Sequence, residues 1–379
     1  MIDWTEQQQE LRDRLRPWAD SLSADHIEWD RREEFPWDRW KTIRETDLLR
    51  LPFGKEWGGL EQSLPTTMYA LEELGRTSRD AGLNFSVSTQ IVSTGVPLQH
   101  FGSQALKDRY LPGIVDGSRI GAHAITEPEY GSDVMNIRTT AVRDGDHYVL
   151  NGSKKFITNA PIADVFLLYV RTGAAGSPLG ISVFLVERDT PGLSVGPAMG
   201  KMGLRSSPFG ELRFEDLRVP AANLIGGAGA GFIVLDYVMK REILLSFSIN
   251  LGEMEHRLAR CLEYARTRRQ FGQEIGKFQA VSHRIADMKI SVETARKWLY
   301  DTAEKVVEGK DATIDVAATK VVVSEANKAT ALAALQLFGG SGYLTETGLE
   351  LDVRNALSGT IYSGTSEIQR TRIASMLGL

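Results

Sequence analysis

The run from Gly231 to Ile249, GFIVLDYVMKREILLSFSI, has helical length, contains no breaker, and beyond Glu242 is apolar almost all round. A helix without a polar face must be enclosed by other elements, so the chain has to build a bundle or large core around it. Glu242 sits inside this run. Its helical neighbours at three and four positions are Val238, Met239, Leu245 and Ser246, none of which can pair with a carboxylate. A carboxylate in such a stripe is either a costly structural feature or a group whose raised pKa is put to use.

With 379 residues the chain is long for one domain, and roughly two or three are expected. From Trp4 to about Gly117 the pattern is helical. Thr5 reads as an N-cap before EQQQELRDRL, and Pro36 and Pro65 each start a new segment. Six of the seven tryptophans fall in the first 57 residues, where packing between helices is the simplest account. Near Ile120 the character changes. Two alternating runs flank Asp144-Gly145, a strong hairpin signal, and DVFLLYV, ISVFLVE, LSVGPA and ELRFEDLRVP follow, separated by Gly, Pro, Ser and Asp. After GGAGAG the chain returns to helix: Phe232 to about Arg266, Phe278 to Val307, Thr313 to Phe338, and Ser366 to Met376, with a short one near Leu349. The expected fold is therefore multi-domain α+β. It comprises an N-terminal helical domain (1–119), a middle antiparallel β barrel or sandwich (120–225) and a C-terminal four-helix bundle (226–379).

Several function classes are disfavoured. A net charge of −5 argues against a general nucleic-acid or anionic-membrane surface. Cys261 is the lone cysteine and the six histidines form no close pair, so metal-ligand spacing is missing. No apolar run approaches membrane-spanning length and the start carries no signal region, so a cytoplasmic protein is expected. Gly227, Gly229 and Gly231 imitate a dinucleotide fingerprint, but without a βαβ unit a hinge before a helix is the better reading.

Five polar constellations remain. Thr126-Glu127-Pro128 with Gly131-Ser132-Asp133 offers hydroxyls and approachable backbone N–H groups, although turns use the same residues. Phe156 to Asn159, FITN, sets an aromatic face beside a hydroxyl. Arg266, Arg268 and Arg269 before Phe271-Gly272 suit either a helix C-terminus or a pyrophosphate. QLFGGSGY (336–343) and IYSGTSEIQ (361–369) place glycines at helix ends, where backbone can approach a ligand.

In this order, ITEPEYGSD, NGSKKFITN, RTRRQFG, QLFGGSGY and YSGTSEIQ resemble the acyl-CoA dehydrogenase family over nearly the whole chain. The resemblance implies FAD, an oligomer that is usually a tetramer, and α,β-dehydrogenation of an acyl thioester. It implies that Thr126 and Thr158 hydrogen-bond the flavin edge, that Phe156 lies against the ring, and that Ser132 touches the pyrophosphate. His123 and Ile125 belong to the same implied cofactor set. Arg268, Phe271, Gln336, Gly339 and Gly340 would reach the FAD of a neighbouring subunit, with Thr365 and Glu367 near the ribose and adenine end.

Most family members place the catalytic glutamate immediately before Gly-Thr-Ser, where this chain has Ser363. A serine with no adjacent histidine or lysine cannot act as the base. A minority carries the base on the first bundle helix, and alignment on GAGF puts it at Glu242. Other departures are Ile243 after the base position (with Arg241 before it), Phe156 for a common Trp, Asn355 for an aspartate, and Glu129-Tyr130 for Gly-Ala. Ser363, a helix-borne glutamate and NAPIADVF also look like dehydrogenases acting on acyl or prolyl groups tethered to carrier proteins in natural-product pathways. Coenzyme A and a carrier protein are therefore both expected as thioester carriers, with a flavoprotein or oxygen as electron acceptor. The rival reading is a flavin-binding member that has lost dehydrogenation and serves as a scaffold, oxidase or monooxygenase.

Overall fold

The computed structural model describes residues 3–379. Eight helices come first: α1 (Glu6–Asp13), α2 (Ala19–Ser23), α3 (His26–Arg32), α4 (Trp37–Glu45), α5 (Leu64–Thr77), α6 (Ala81–Ser88), α7 (Val96–Phe101) and α8 (Gln104–Val115). Thr5 caps α1 as expected: its side chain accepts from the Gln8 amide, and the Gln8 side chain accepts from the Thr5 N–H. Of the early tryptophans, Trp4 stacks on Tyr69 at 4.0 Å and Trp40 lies buried, whereas Trp37 is 51% exposed.

Between α6 and α7 the chain makes a π-helical turn, Thr89–Gly95, every residue of which is buried. A π turn inserts an extra residue, rotates the following side chains to new directions, and is found most often where function requires it. Nothing in the periodicity of this small-residue stretch announces it.

The middle segment forms an eight-stranded sheet from β1 (Gly121–Ala124), β2 (Thr140–Asp144), β3 (His147–Thr158), β4 (Val165–Arg171), β5 (Ile181–Glu187), β6 (Leu193–Val195), β7 (Phe209–Pro220) and β8 (Leu224–Ile225). The expected β2–β3 hairpin turns at Gly145, whose φ is 63°. One expectation is corrected: the sheet is mixed. β1 runs parallel to β4, pairing His123 with Leu167, and β2 meets β4 in parallel at Thr140 and Arg171. A long excursion through the 125–139 loop and the hairpin lies between β1 and β4, which gives the chain room to return in the same direction. β1 and β2 thus share one edge of β4, and β5 takes the other.

β8 pairs antiparallel with β5, and Gly226, Gly227 and Gly229 all have positive φ before the next helix. The antiparallel β5–β8 pairing leads into α9 without a βαβ unit, so these glycines do not form a dinucleotide fingerprint. The bundle follows: α9 (Gly231–Thr267), α10 (Gln279–Val307), α11 (Thr313–Leu337), α12 (Leu349–Ser358) and α13 (Ser366–Met376), with a small β9–β10 hairpin (Arg269–Gln270, Gln273–Glu274) after α9.

The tertiary structure answers the apolar surface of α9 by enclosing it: Ile243 to Ile249 are all buried. Its backbone touches that of α5. A methyl at Gly75 would meet the Ile249 carbonyl oxygen at 2.0 Å, and one at Gly252 would meet that of Glu72 at 1.9 Å. The crossing is locked by Arg296, which bridges Glu72 and Glu255, and by the Tyr300 hydroxyl donating to Glu72 at 2.6 Å.

Candidate active site

Glu242 points from α9 toward the π turn and the loop before α13. Ser93 Oγ donates to its Oε2 at 3.1 Å, and Ser363 Oγ to its Oε1 at 2.5 Å. No cation among the described residues joins them: Arg241 turns away, its guanidinium 3.5 Å over the Tyr237 ring and donating to the Tyr237 carbonyl. Burial is the largest effect on Glu242 and raises its pKa, while the two serine hydroxyls partly oppose it by favouring the carboxylate. The residue still keeps intermediate solvent contact. It is deeply set yet reachable, as a group meeting a ligand must be.

The local sequence accounts for Ser363. It holds φ at 54°, followed by Gly364 at 79°, a left-handed pair that folds the chain back before α13. Thr365 caps that helix by accepting from the Ile368 amide, and Gln369 Nε2 donates to the Ser363 carbonyl at 2.9 Å. Tyr362 is clamped by Phe85 and Phe247, with its hydroxyl donating to Asn250 Oδ1 at 3.1 Å. A non-glycine residue in this conformation carries strain that the surrounding contacts must overcome. Ser363→Ala removes the stronger of two donors to the carboxylate, so Glu242 should hold its proton to higher pH. A pH titration of its protonated carboxyl by difference infrared spectroscopy should show that upward shift; an unmoved titration would mean that the serine is not coupled to it.

The second half of the site lies on the sheet. Lys154 and Glu127 form a buried pair at 2.9 Å, and Lys154 Nζ also donates to the Ile125 carbonyl. Glu127 in turn accepts from the amides of Arg138 and Thr139. Burial pulls the Lys154 ammonium down to about 8, and Glu127 counteracts it. This buried brace fixes the loop that carries Thr126, whose carbonyl accepts from the Lys155 amide at 2.8 Å. Opposite, β3 breaks register between Lys154 and Ile157, and Phe156 sits at φ 60° with 49% of its surface exposed. Its ring lies 5.8 Å from that of Phe209. Thr158 ends the strand, and the chain turns at Asn159, whose Oδ1 accepts from Ser86. Ser132 lies in the exposed turn beyond Tyr130.

Beneath this loop two buried polar atoms, His123 Nε2 and the Tyr169 hydroxyl, have no hydrogen-bond partner among the described residues. An aromatic face held out to solvent, with one threonine on the loop after β1 and another at the end of β3, is what a flat, polar-edged ring requires. The residues fit such a group.

The remaining expected residues are elsewhere. Arg268 caps the far end of α9, and Phe271 is 92% exposed at the tip of β9–β10. Twenty-six residues of helix separate Glu242 from Arg268, about 39 Å at 1.5 Å per residue. Gln336 lies in the last turn of α11, and Gly339 and Gly340 follow it with open space around them. Within one chain these do not meet the Glu242 group. Thr365 and Glu367 are close in sequence to Ser363, but Glu367 is exposed. Sequence reasoning missed Ser93, Tyr169 and Tyr362. Tyr169 left a trace as the lone hydroxyl in the apolar strand DVFLLYV, and Tyr362 lies within the IYSGTSEIQ run.

Comparison with known proteins gives three family models that together span most of the chain. They are the acyl-CoA dehydrogenase N-terminal domain over 5–118, the middle domain over 122–217 and the C-terminal domain over 229–378. An L-prolyl-[peptidyl-carrier protein] dehydrogenase of Serratia sp. is 41% identical over 340 residues, 90% of this chain and 88% of that protein. The crystal structure of the prolyl acyl carrier protein oxidase AnaB superposes with a TM-score of 0.97 at 38% identity, covering 100% of both chains. PigA with FAD and proline gives 0.97 at 37%, covering 100% of this chain and 99% of that one.

Proposed function

This chain belongs to the acyl-CoA dehydrogenase family, and we propose that it dehydrogenates a thioester-bound acyl group between Cα and Cβ with FAD, using Glu242 as the base. The observation that carries this reading is a deeply set carboxylate, free of cations, that two serines orient where the family's usual glutamate position holds Ser363. FAD, when bound, supplies the two-electron acceptor for the hydride that leaves Cβ.

The remaining work falls to the chain's own side chains. A proton α to a thioester is weakly acidic, so a base of raised proton affinity is better matched to it than an ordinary carboxylate. Burial provides that affinity, and Ser93 and Ser363 hold both oxygens in one orientation. Thr126, Thr158, Ser132, Phe156 and the backbone at His123 and Ile125 would hold the flavin and its pyrophosphate. Arg268, Phe271, Gln336, Gly339 and Gly340 complete the cofactor site of a neighbouring subunit, so the active form is an oligomer, a tetramer as is usual in the family. Thr365 and Glu367 lie toward the adenine end.

The substrate is a prolyl thioester on a carrier protein, in a cytoplasmic natural-product pathway; the relatives named for prolyl carriers support this over coenzyme A. No helix among the described residues is long and apolar enough to cross a membrane. Electrons pass to oxygen or to a flavoprotein partner. Anaerobic stopped-flow mixing with prolyl-carrier protein should bleach the flavin faster than butyryl-CoA or isovaleryl-CoA does. Faster bleaching by an acyl-CoA would transfer the assignment to coenzyme A substrates. Bleaching by no thioester would return the chain to the scaffold reading.

A further inference from the structure

Tyr169 is 1% exposed, yet among the described residues its hydroxyl has no partner, and His123 Nε2 beside it has none either. The two rings meet edge to face at 4.8 Å. Their placement follows from the parallel pairing of β1 with β4. His123 stands opposite Leu167, so Tyr169, two residues on, projects from the same face. That face turns toward the base. Gly121, also on it, lies so close to the π turn that a methyl there would meet the Thr94 side chain at 2.3 Å, and Thr94 adjoins Ser93. The charge of Glu242 reaches Tyr169 and adds to the burial that keeps the phenol protonated. Burial keeps the His123 ring neutral, with a pKa of about 3, so it retains an accepting nitrogen.

A buried hydroxyl or imidazole left without a partner destabilises the fold. A chamber meant for a hydrocarbon acyl chain would be better lined with Phe and Leu at these two places. We propose that the Tyr169 hydroxyl oxygen and His123 Nε2 accept hydrogen bonds from the nitrogen on Cα of the acyl group, and so select an α-amino acyl thioester over a hydrocarbon one. The inference rests on the thioester-dehydrogenase reading above. Geometry favours it because the nitrogen is bonded to the same carbon whose proton Glu242 takes, so its acceptors must share the chamber of the base. A site built to bond an N–H rejects an isostere lacking it far more strongly than an apolar pocket rejects a missing methylene.

The test compares L-prolyl and cyclopentanecarbonyl groups, which share a five-membered ring, loaded on the same carrier protein. The wild-type holoenzyme should reduce its flavin with prolyl at a kcat/KM on the order of 10⁴-fold above cyclopentanecarbonyl. In Tyr169→Phe that ratio should collapse to about tenfold or less, with cyclopentanecarbonyl turnover, FAD content and visible flavin spectrum unchanged. Equal use of both thioesters by the wild type would overturn the proposal. So would a Tyr169→Phe variant that slows both equally or shifts the flavin spectrum, because the hydroxyl would then serve the cofactor. If neither thioester reduces the wild-type flavin while acyl-CoA does, it is the substrate reading that has failed.

Discussion

Glu242→Gln should lower the rate of flavin reduction by the natural thioester by about 10³-fold, within the range that a positioned general base contributes. The substitution is nearly isosteric, and the glutamine carbonyl can still accept from Ser93 or Ser363, so the chamber should keep its shape. The proposed cofactor cradle lies on the 125–139 loop and the end of β3, not on α9, so FAD content should stay at the wild-type level. Stopped-flow absorbance measures the rate, and the flavin-to-protein ratio controls for cofactor loss. Reduction within a few-fold of wild type would move the base elsewhere. Ser363 could not take over, since its hydroxyl has the Glu242 carboxylate as its side-chain partner and no imidazole or ammonium beside it.

Lys154→Met should produce the largest loss of stability, about 3 kcal/mol, because it strands the buried Glu127 carboxylate. This lies at the lower end of what breaking a buried pair costs, since the amides of Arg138 and Thr139 continue to donate to Glu127. The loop bearing Thr126 loses its brace at the same time, so FAD affinity should fall with stability. Adding Glu127→Gln removes the stranded charge and should recover part of the loss. Denaturant unfolding of the single and double variants measures both effects. A single variant as stable as wild type would show that the pair does not hold the loop.

Most of the helical architecture is legible in the sequence because helices and hairpins are set by near neighbours. Thr5 with Gln8, Asp144-Gly145, and the periodicity of the bundle helices act over a few residues. The parallel placement of β1 was not legible. Its pairing depends on how a long excursion closes, and strand periodicity is the same for either direction.

The site divides along the same line. By itself the sequence determined that α9 must be enclosed, that Glu242 lies within it without a helical partner, and that Ser363 occupies the usual place of the base. Helical spacing fixes which side chains are neighbours and so settles the first two; the third is what the resemblance to the acyl-CoA dehydrogenase family implies. Only the tertiary structure decided what surrounds the carboxylate. Ser93 reaches Glu242 from 149 positions away and Ser363 from 121. The π turn that aims Ser93 and the parallel strand pair that sets His123 against Tyr169 likewise arise from packing between distant segments. A hydrogen bond across such a separation depends on how whole elements close on one another, and no local periodicity encodes it.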